Sequence, residues 1–308
     1  MFDRKYTWAI TGGAGFIGSH TVRELLKNGQ NVIVIDNTKH IGKTPLAPFA
    51  DRVTFLNFDV RNFENILNAL KNVDYVIHLA ALVSVAESMH NPQLSLEINI
   101  HGTANVLEAA RLNKVKRFIF ASSSAVYGNN PDAPYQETAQ TNIQSPYALG
   151  KLAGDELCQM YTDLYGLETV ILRYFNVFGP GQDADSPYSA VIAKFIALAK
   201  ENKSYNIQWD GTQTRDFIYV SDVANANLLA AAKAKPGEIY NVASGQTTTL
   251  LKLTEMIDAV SGVKNKKEFS PKREGDVKHS AAVISKIEKL GFKTTISLQE
   301  GLKLMWNK

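Results

Sequence analysis

Along the first half of the chain, short apolar runs alternate with amphipathic stretches of helical period, the order expected of βαβ units that build a parallel sheet. The apolar runs predict strands over 7–11, 31–36, 53–58, 74–79, 117–121 and 168–173. The amphipathic stretches predict helices over 19–28, 92–112 and 147–165. From Asn176 onward the pattern loosens into short mixed elements punctuated by Gly179-Pro180-Gly181 and Pro236-Gly237. No low-complexity linker separates the two parts and no internal repeat is visible. The expected architecture is therefore α/β: a doubly wound parallel sheet over 1–175, with a smaller lobe over 176–308, some of whose segments return to the first part.

Composition narrows the class without changing that picture. With 308 residues and 45% hydrophobic content the chain can bury a large core. Its 33 basic and 30 acidic residues leave a formal charge of only +3, which implies no general pull toward nucleic acid or an anionic membrane. Any anionic ligand must then be held by local charge. Cys158 is the one cysteine, so no intrachain disulfide forms, which fits a reducing compartment. No apolar run approaches the roughly 18 residues that span a bilayer, and the first strand begins too early for a cleaved signal peptide. A cytoplasmic protein is expected. The six histidines lack metal-ligand spacing, so no metal site is expected.

The segment Thr11-Gly-Gly-Ala-Gly-Phe-Ile-Gly18 follows a predicted strand and opens a predicted helix, the context that separates a dinucleotide fingerprint from a chance cluster of glycines. Gly12, Gly15 and Gly18 permit a tight turn, close approach of backbone to a pyrophosphate, and tight packing of helix on strand. Asp36 ends the second strand, where its carboxylate accepts from a ribose 2′-hydroxyl and repels a 2′-phosphate. Asn37, not an arginine, follows, so NAD is favoured over NADP. Asp59 and Val60, after the third strand, are placed for an adenine. His78-Leu79-Ala80-Ala81 closes the fourth strand with small residues that let a ligand lie close, and His78 itself reads as a packed histidine.

Tyr147 and Lys151, four residues apart in a helical stretch, share one helix face. A tyrosine with a pKa near about 10 is a poor base at neutral pH. A neighbouring ammonium and a positive nicotinamide ring both favour the phenolate, and bringing it near neutrality needs about 4 kcal/mol of differential stabilisation. Tyr-x-x-x-Lys alone is a common accident. The serines of Ala121-Ser-Ser-Ser-Ala-Val-Tyr-Gly128 add hydroxyls at the carboxyl end of the fifth strand, where ligands of this architecture bind. Glycine turn, strand-end serines and Tyr-x-x-x-Lys in that order form a conjunction that chance does not supply.

On these residues the chain resembles the extended short-chain dehydrogenase/reductase superfamily, whose first domain is a Rossmann fold, and within it the nucleotide-sugar 4-epimerases of the UDP-glucose/UDP-galactose type. The resemblance spans nearly the whole chain through TGGAGFIG (11–18), DN (36–37), HLAA (78–81), SSSAVYG (122–128), SPYALGK (145–151), LRYFNVFGPGQ (172–182), RDFIYVSD (215–222) and REGDVKHS (273–280). It implies Ser123 as the catalytic hydroxyl, Tyr147 as the acid/base and Lys151 as its activator. It implies cofactor contacts from Phe16, Ile17, Asn37, Leu79, Asn99 and Tyr174 beside the glycines, Asp36, Asp59, Val60, Ala80 and Ala81. On the substrate side it implies Ser84, Ser124, Asn176, Ala190 and Val191, with Arg215 and Arg273 on the diphosphate and Asp276 on a ribose hydroxyl. Each of these arginines, read alone, fits a surface ion pair equally well.

Two positions depart from relatives. Ser124-Ala125 stands where 4,6-dehydratases carry Asp-Glu and where sugar-acid decarboxylases place a glutamate at the second position, so dehydration and decarboxylation are disfavoured. Ser280 occupies the gatekeeper position beside the sugar, where a tyrosine restricts some epimerases to plain hexoses; a serine leaves room for a 2-N-acetyl group. The expected function is an NAD-dependent 4-epimerase of UDP-Glc/UDP-Gal, with UDP-GlcNAc/UDP-GalNAc also accepted. Another nucleotide-sugar enzyme of the superfamily (a uronate epimerase, decarboxylase or dehydratase) and a noncatalytic NAD-sensing protein stay open as alternatives. The resemblance also implies a homodimer that pairs through the helices 92–112 and 147–165.

Overall fold

The computed structural model describes residues 2–182, 191–272 and 277–307. In chain order the strands are β1 (Thr7–Thr11), β2 (Asn31–Asp36), β3 (Thr54–Asn57), β4 (Tyr75–His78), β5 (Arg117–Ser123), β6 (Thr169–Tyr174) and β7 (Asn176–Phe178). They continue with β8 (Tyr205–Gln208), β9 (Thr214–Tyr219), β10 (Ile239–Val242), β11 (Thr247–Thr249), β12 (Lys267–Ser270) and β13 (His279–Ser280). The helices that matter here are α1 (Phe16–Lys27), α2 (Phe63–Ala69), α3 (Val85–His90), α4 (Pro92–Leu96), α5 (Thr103–Leu112), α6 (Pro146–Tyr165), α7 (Val191–Lys200), α8 (Val220–Lys233) and α9 (Leu250–Ser261).

Seven strands form one sheet in the order β10-β6-β5-β4-β1-β2-β3, every pairing parallel. The chain starts in the middle at β1, winds outward to β3, then crosses back to β4 and winds the other way. This is the doubly wound Rossmann arrangement, whose switch point lies between β1 and β4. Both faces are covered, and the strands read as nearly continuous apolar runs for that reason. In β5, Ile119 and Ala121 face the layer built by α1 and α8, whereas Phe118 and Phe120 face the layer of α2, α5 and α6.

Six of these strands lie within two residues, at either end, of the ranges that the apolar runs predict. The seventh, β10, comes from the second half and pairs with β6, so the chain returns to the first sheet after leaving it. Between these passages it forms a small sheet in which β9 pairs with β7, β11 and β13. Phe175 alone separates β6 from β7, so the small sheet is tethered directly to the large one. Its core gathers Phe178, Phe217 and Tyr219 with α7 and α9.

The predicted helix 92–112 is not one α-helix. It divides into α4, a π-helical stretch Glu97–Gly102 and α5. The wider winding turns buried Asn99 toward the loop after β4, where its amide binds both Leu82 N–H and Leu82 C=O. Gly150 of α6 packs against it so closely that a Cβ there would lie 2.7 Å from Asn99 Cβ.

Candidate active site

The glycine turn is built from contacts that no larger residue tolerates. Gly12 has φ +67°, and a Cβ on it would meet Ala80 N at 2.7 Å. A Cβ on Gly18 would come within 2.2 Å of the Gly12 carbonyl oxygen. The turn is pinned to the sheet by Gly12 N–H, which donates to Ile35 O at 2.8 Å, and by Ala14 N–H, which donates to the Asp36 carboxylate at 3.1 Å. No side chain caps the N-terminus of α1, so its first-turn N–H groups face the cleft above the sheet.

That cleft, of about 480 Å³, runs along the carboxyl edge of the seven-stranded sheet. Gly12, Gly15, Phe16, Ile17 and Gly18 line its floor, and Asp36, Asn37, Asp59 and Val60 one end. Leu79, Ala80 and Ala81 follow β4, and Ser123, Tyr147, Lys151 and Tyr174 stand at the other end. Asp59 is held ionised by Arg61, whose Nε lies 3.0 Å from its carboxylate. Ile35, Phe58, Val83, Ile98, Ser122 and Phe175 also line the cleft. Ser122 and Phe175 lie inside the quoted motifs, Ile35, Phe58 and Val83 lie within two residues of the singled-out positions, and Ile98 lies on a winding that a plain helix periodicity does not foretell.

Tyr147 is delivered by a well-marked helix start. Ser145 caps α6 by accepting from Ala148 N–H, and Pro146 occupies the first turn. One turn on, Lys151 is buried and donates to Ala121 O at 2.7 Å, on the strand that ends in Ser123. Ser123 opens a short 3-10 helix and accepts from Ala125 N–H at 3.1 Å. The electrostatics differ from the expected ones. Burial raises the Tyr147 phenol above its ordinary value, and the hydrogen bond with Ser123 opposes the rise. Lys151 Nζ lies 5.9 Å from the Tyr147 ring centroid and is committed to Ala121, so it does not of itself deliver a lowered phenol. Burial brings Lys151 down to about 8, with Asp155 and Cys158 opposing.

His78 is a packed residue. It is 1% exposed, bonded to Thr11 Oγ1 and Thr103 Oγ1, and depressed by burial to about 3, so it is neutral.

Asn99 stands behind the residues that line the cleft. Its amide is spent on Leu82 and Ser95, so it braces the loop of Ala80 and Ala81 from behind.

The substrate-side residues are more dispersed. Ser84 caps α3 by accepting from Glu87 N–H, and Ser124 begins the 3-10 turn after Ser123. Asn176 donates to Asp216 O at 2.9 Å. Arg215 and Ser280 are direct neighbours across β9 and β13, and Arg215 donates to the Thr214 and Lys278 carbonyls. Val191 starts α7 and packs on the core beneath the small sheet. Ala190, Arg273 and Asp276 lie outside the described residues. Among the described residues no group of His, Cys, Asp and Glu could hold a metal ion, and no helix is long and apolar enough to cross a membrane.

The NAD dependent epimerase/dehydratase family matches residues 8–243. The chain belongs to that family. It is 41% identical over 301 residues to a Methanocaldococcus jannaschii protein provisionally named a UDP-glucose 4-epimerase, covering 97% of this chain and 96% of that one. A solved UDP-N-acetylglucosamine 4-epimerase from Methanobrevibacter ruminantium, in complex with UDP-N-acetylmuramic acid, superposes with a TM-score of 0.93 at 38% identity, over 99% and 98% of the two chains. The Thermus thermophilus UDP-glucose 4-epimerase, solved with NAD, gives 0.90 at 33% identity, over 98% of each.

NAD is the cofactor of this NAD-dependent epimerase family, and the cleft fits it on its own chemistry. A turn closed to a Cβ at Gly12 and Gly18, a 12-residue helix whose N-terminus no side chain caps, and a carboxylate at the far end together suit a pyrophosphate and a ribose.

Proposed function

We propose that this family member interconverts UDP-sugars epimeric at C4, taking UDP-Glc/UDP-Gal and also UDP-GlcNAc/UDP-GalNAc. The observation that carries this reading is the grouping of Tyr147, Ser123 and Lys151 at one end of the cleft whose other end holds Asp36. When bound, NAD supplies a hydride acceptor and donor for sugar C4 and a positive ring that favours the phenolate. Tyr147 takes the proton of the C4 hydroxyl, directly or through Ser123, and returns it after the sugar has turned over as a 4-keto species. Such turning requires that the pyranose be held weakly and the nucleotide firmly.

Firm holding of the diphosphate falls to the second half, with two serines of the first half beside it. Arg215 and Arg273 fork onto the diphosphate, Asp276 accepts from a ribose hydroxyl, and Ser84, Ser124, Asn176, Ala190 and Val191 complete the sugar and base contacts. Ser280, the register partner of Arg215, is a small residue at the gatekeeper position, and on this reading it admits an N-acetyl group where a tyrosine would not. The exposed Leu149, Met160 and Leu164 on the outer side of α6 support a homodimer through that helix.

The deciding experiment incubates purified protein with UDP-Gal, UDP-Glc, UDP-GlcNAc and UDP-GlcA, without added NAD, and separates the products. Interconversion of both hexose pairs is expected. Turnover of UDP-GlcA alone would redirect the assignment to a uronate epimerase. Ser280→Tyr is expected to suppress the N-acetylated pair selectively, and an unchanged ratio of the two activities removes the pocket reading.

A further inference from the structure

Behind Lys151 lies a charged pair that the proposed chemistry does not use. Asp155 follows Lys151 by one helical turn on α6 and is 0% exposed. Arg173 on β6, 3% exposed, places Nε 2.9 Å from Asp155 Oδ2. The guanidinium is fixed in turn by Tyr127 Oη at 3.0 Å and by the Glu137 carbonyl at 3.1 Å, and Tyr127 donates to Asn241 at 2.7 Å. Arg173 thus occupies one carboxylate oxygen. The other, Oδ1, is sealed from solvent, as is the neighbouring Ser122 Oγ, the hydroxyl that favours the ionised carboxylate.

A buried ion pair is a weak device for stability alone, because desolvation consumes most of its attraction. Here it adjoins an ammonium whose one hydrogen bond runs to a neutral carbonyl. Lys151 faces Phe120 from β5, His78 from β4, and Tyr147 and Cys158 from its own helix. His78 is neutral, Cys158 is kept a thiol by burial, and Tyr147 is raised by burial, so none of these supplies a standing negative charge. Asp155 does, acting as a charge rather than as a hydrogen-bond partner. Its own carboxyl is pushed up by burial, and Arg173, Ser122 and Lys151 all favour its ionised form.

We propose that Asp155 is a positioning residue for the proton on Lys151, its carboxylate anchored by Arg173 so that the ammonium stays charged in a site sealed from water. This rests on the reading of Lys151 as the partner of Tyr147. Asp155→Asn keeps the shape and one hydrogen bond to Arg173 but removes the charge. The alkaline limb of the kcat profile is expected to move down by about one pH unit, and Asp155→Glu to move it back. The same shift is read directly from the Lys151 Cε signal of 13C-lysine protein, assigned by Lys151→Arg, which titrates whether or not the enzyme turns over. Should Asp155→Asn fail to fold, Asp155→Asn/Arg173→Gln strands no charge and is expected to shift Lys151 in the same direction. A Lys151 titration unmoved in these variants, or a uniform loss of rate with an unmoved limb, overturns the proposal. A downward shift in a protein that epimerises nothing supports it while overturning the reading of function.

Discussion

The carboxyl edge of the seven-stranded sheet and the small sheet around β9 carry their functional groups in different ways. At the first, the proposed cofactor cradle is largely backbone, a turn closed to a Cβ at Gly12 and Gly18 and the N–H groups of α1, with Asp36, Tyr147 and Lys151 set along the same edge. At the second, single side chains such as Arg215 and Ser280 project from short strands joined to the rest through Phe175. A backbone-built site cannot be altered one contact at a time, whereas a side-chain site can. Substitutions at the sheet edge should therefore strike fold and turnover, and substitutions at the small sheet should change affinity and selectivity.

The sharpest break in that contrast comes from Tyr147→Phe. It removes the proposed proton acceptor while leaving the ring that lines the cleft, so kcat should fall by about 10²- to 10⁴-fold. Thermal stability and bound NAD, measured on the same preparation, should stay as they were. Near-normal turnover would remove Tyr147 from the chemistry.

Gly18→Ala probes the backbone side of the comparison. The new methyl would lie 2.2 Å from Gly12 O and 2.7 Å from Gly13 Cα, both main-chain atoms that cannot swing aside. A destabilisation of about 1–3 kcal/mol is expected, with loss of retained NAD. Urea unfolding and the absorbance of released cofactor measure the two effects. A variant that unfolds normally and keeps NAD would mean that the turn is less tightly determined than its contacts imply.

His78, buried beneath the same edge, makes a prediction about pH. Its folded pKa is depressed from 6.5 to about 3, so the neutral form is the one the fold binds. The resulting stability is complete above the unfolded value of 6.5 and is lost as pH falls from there toward 3. At pH 5 the loss amounts to at most about 2 kcal/mol. His78→Asn should be less stable at pH 7 but lose less between pH 7 and pH 5. Equal losses in urea midpoints for the two proteins would assign the acid sensitivity to carboxylates elsewhere.

The same contrast explains what could be read from the chain. β1, β2 and the glycine turn combine an apolar run, a strand-to-helix transition and an acid at fixed spacing, and each signal is local. Tyr147 and Lys151 are likewise separated by one turn of one helix. The bracing of Leu82 by Asn99 is not legible in the sequence, because it depends on a π-helical winding that the periodicity of 92–112 does not reveal. The partnership of Asp155 and Arg173 is not legible in the sequence because it joins α6 to β6 through a buried contact with no spacing rule. The juxtaposition of Arg215 and Ser280 is similarly set by pairing between strands 65 residues apart in sequence.

Arg215→Ala tests the side-chain half of the comparison, and the expected effect is the smallest. Removing one charge-assisted contact to a diphosphate should raise KM about tenfold, equivalent to about 1.4 kcal/mol, with kcat within a few fold of the parent. Retained NAD should not change, because Arg215 stands on β9 and does not line the cleft along the sheet edge. The nucleotide alone supplies an independent reading: UDP should bind this variant more weakly by the same factor, and the difference should narrow as salt is raised. If kcat falls instead while UDP affinity holds, the small sheet contributes to the turning of the sugar as well as to the holding of its handle, and the division of labour between the two regions is wrong.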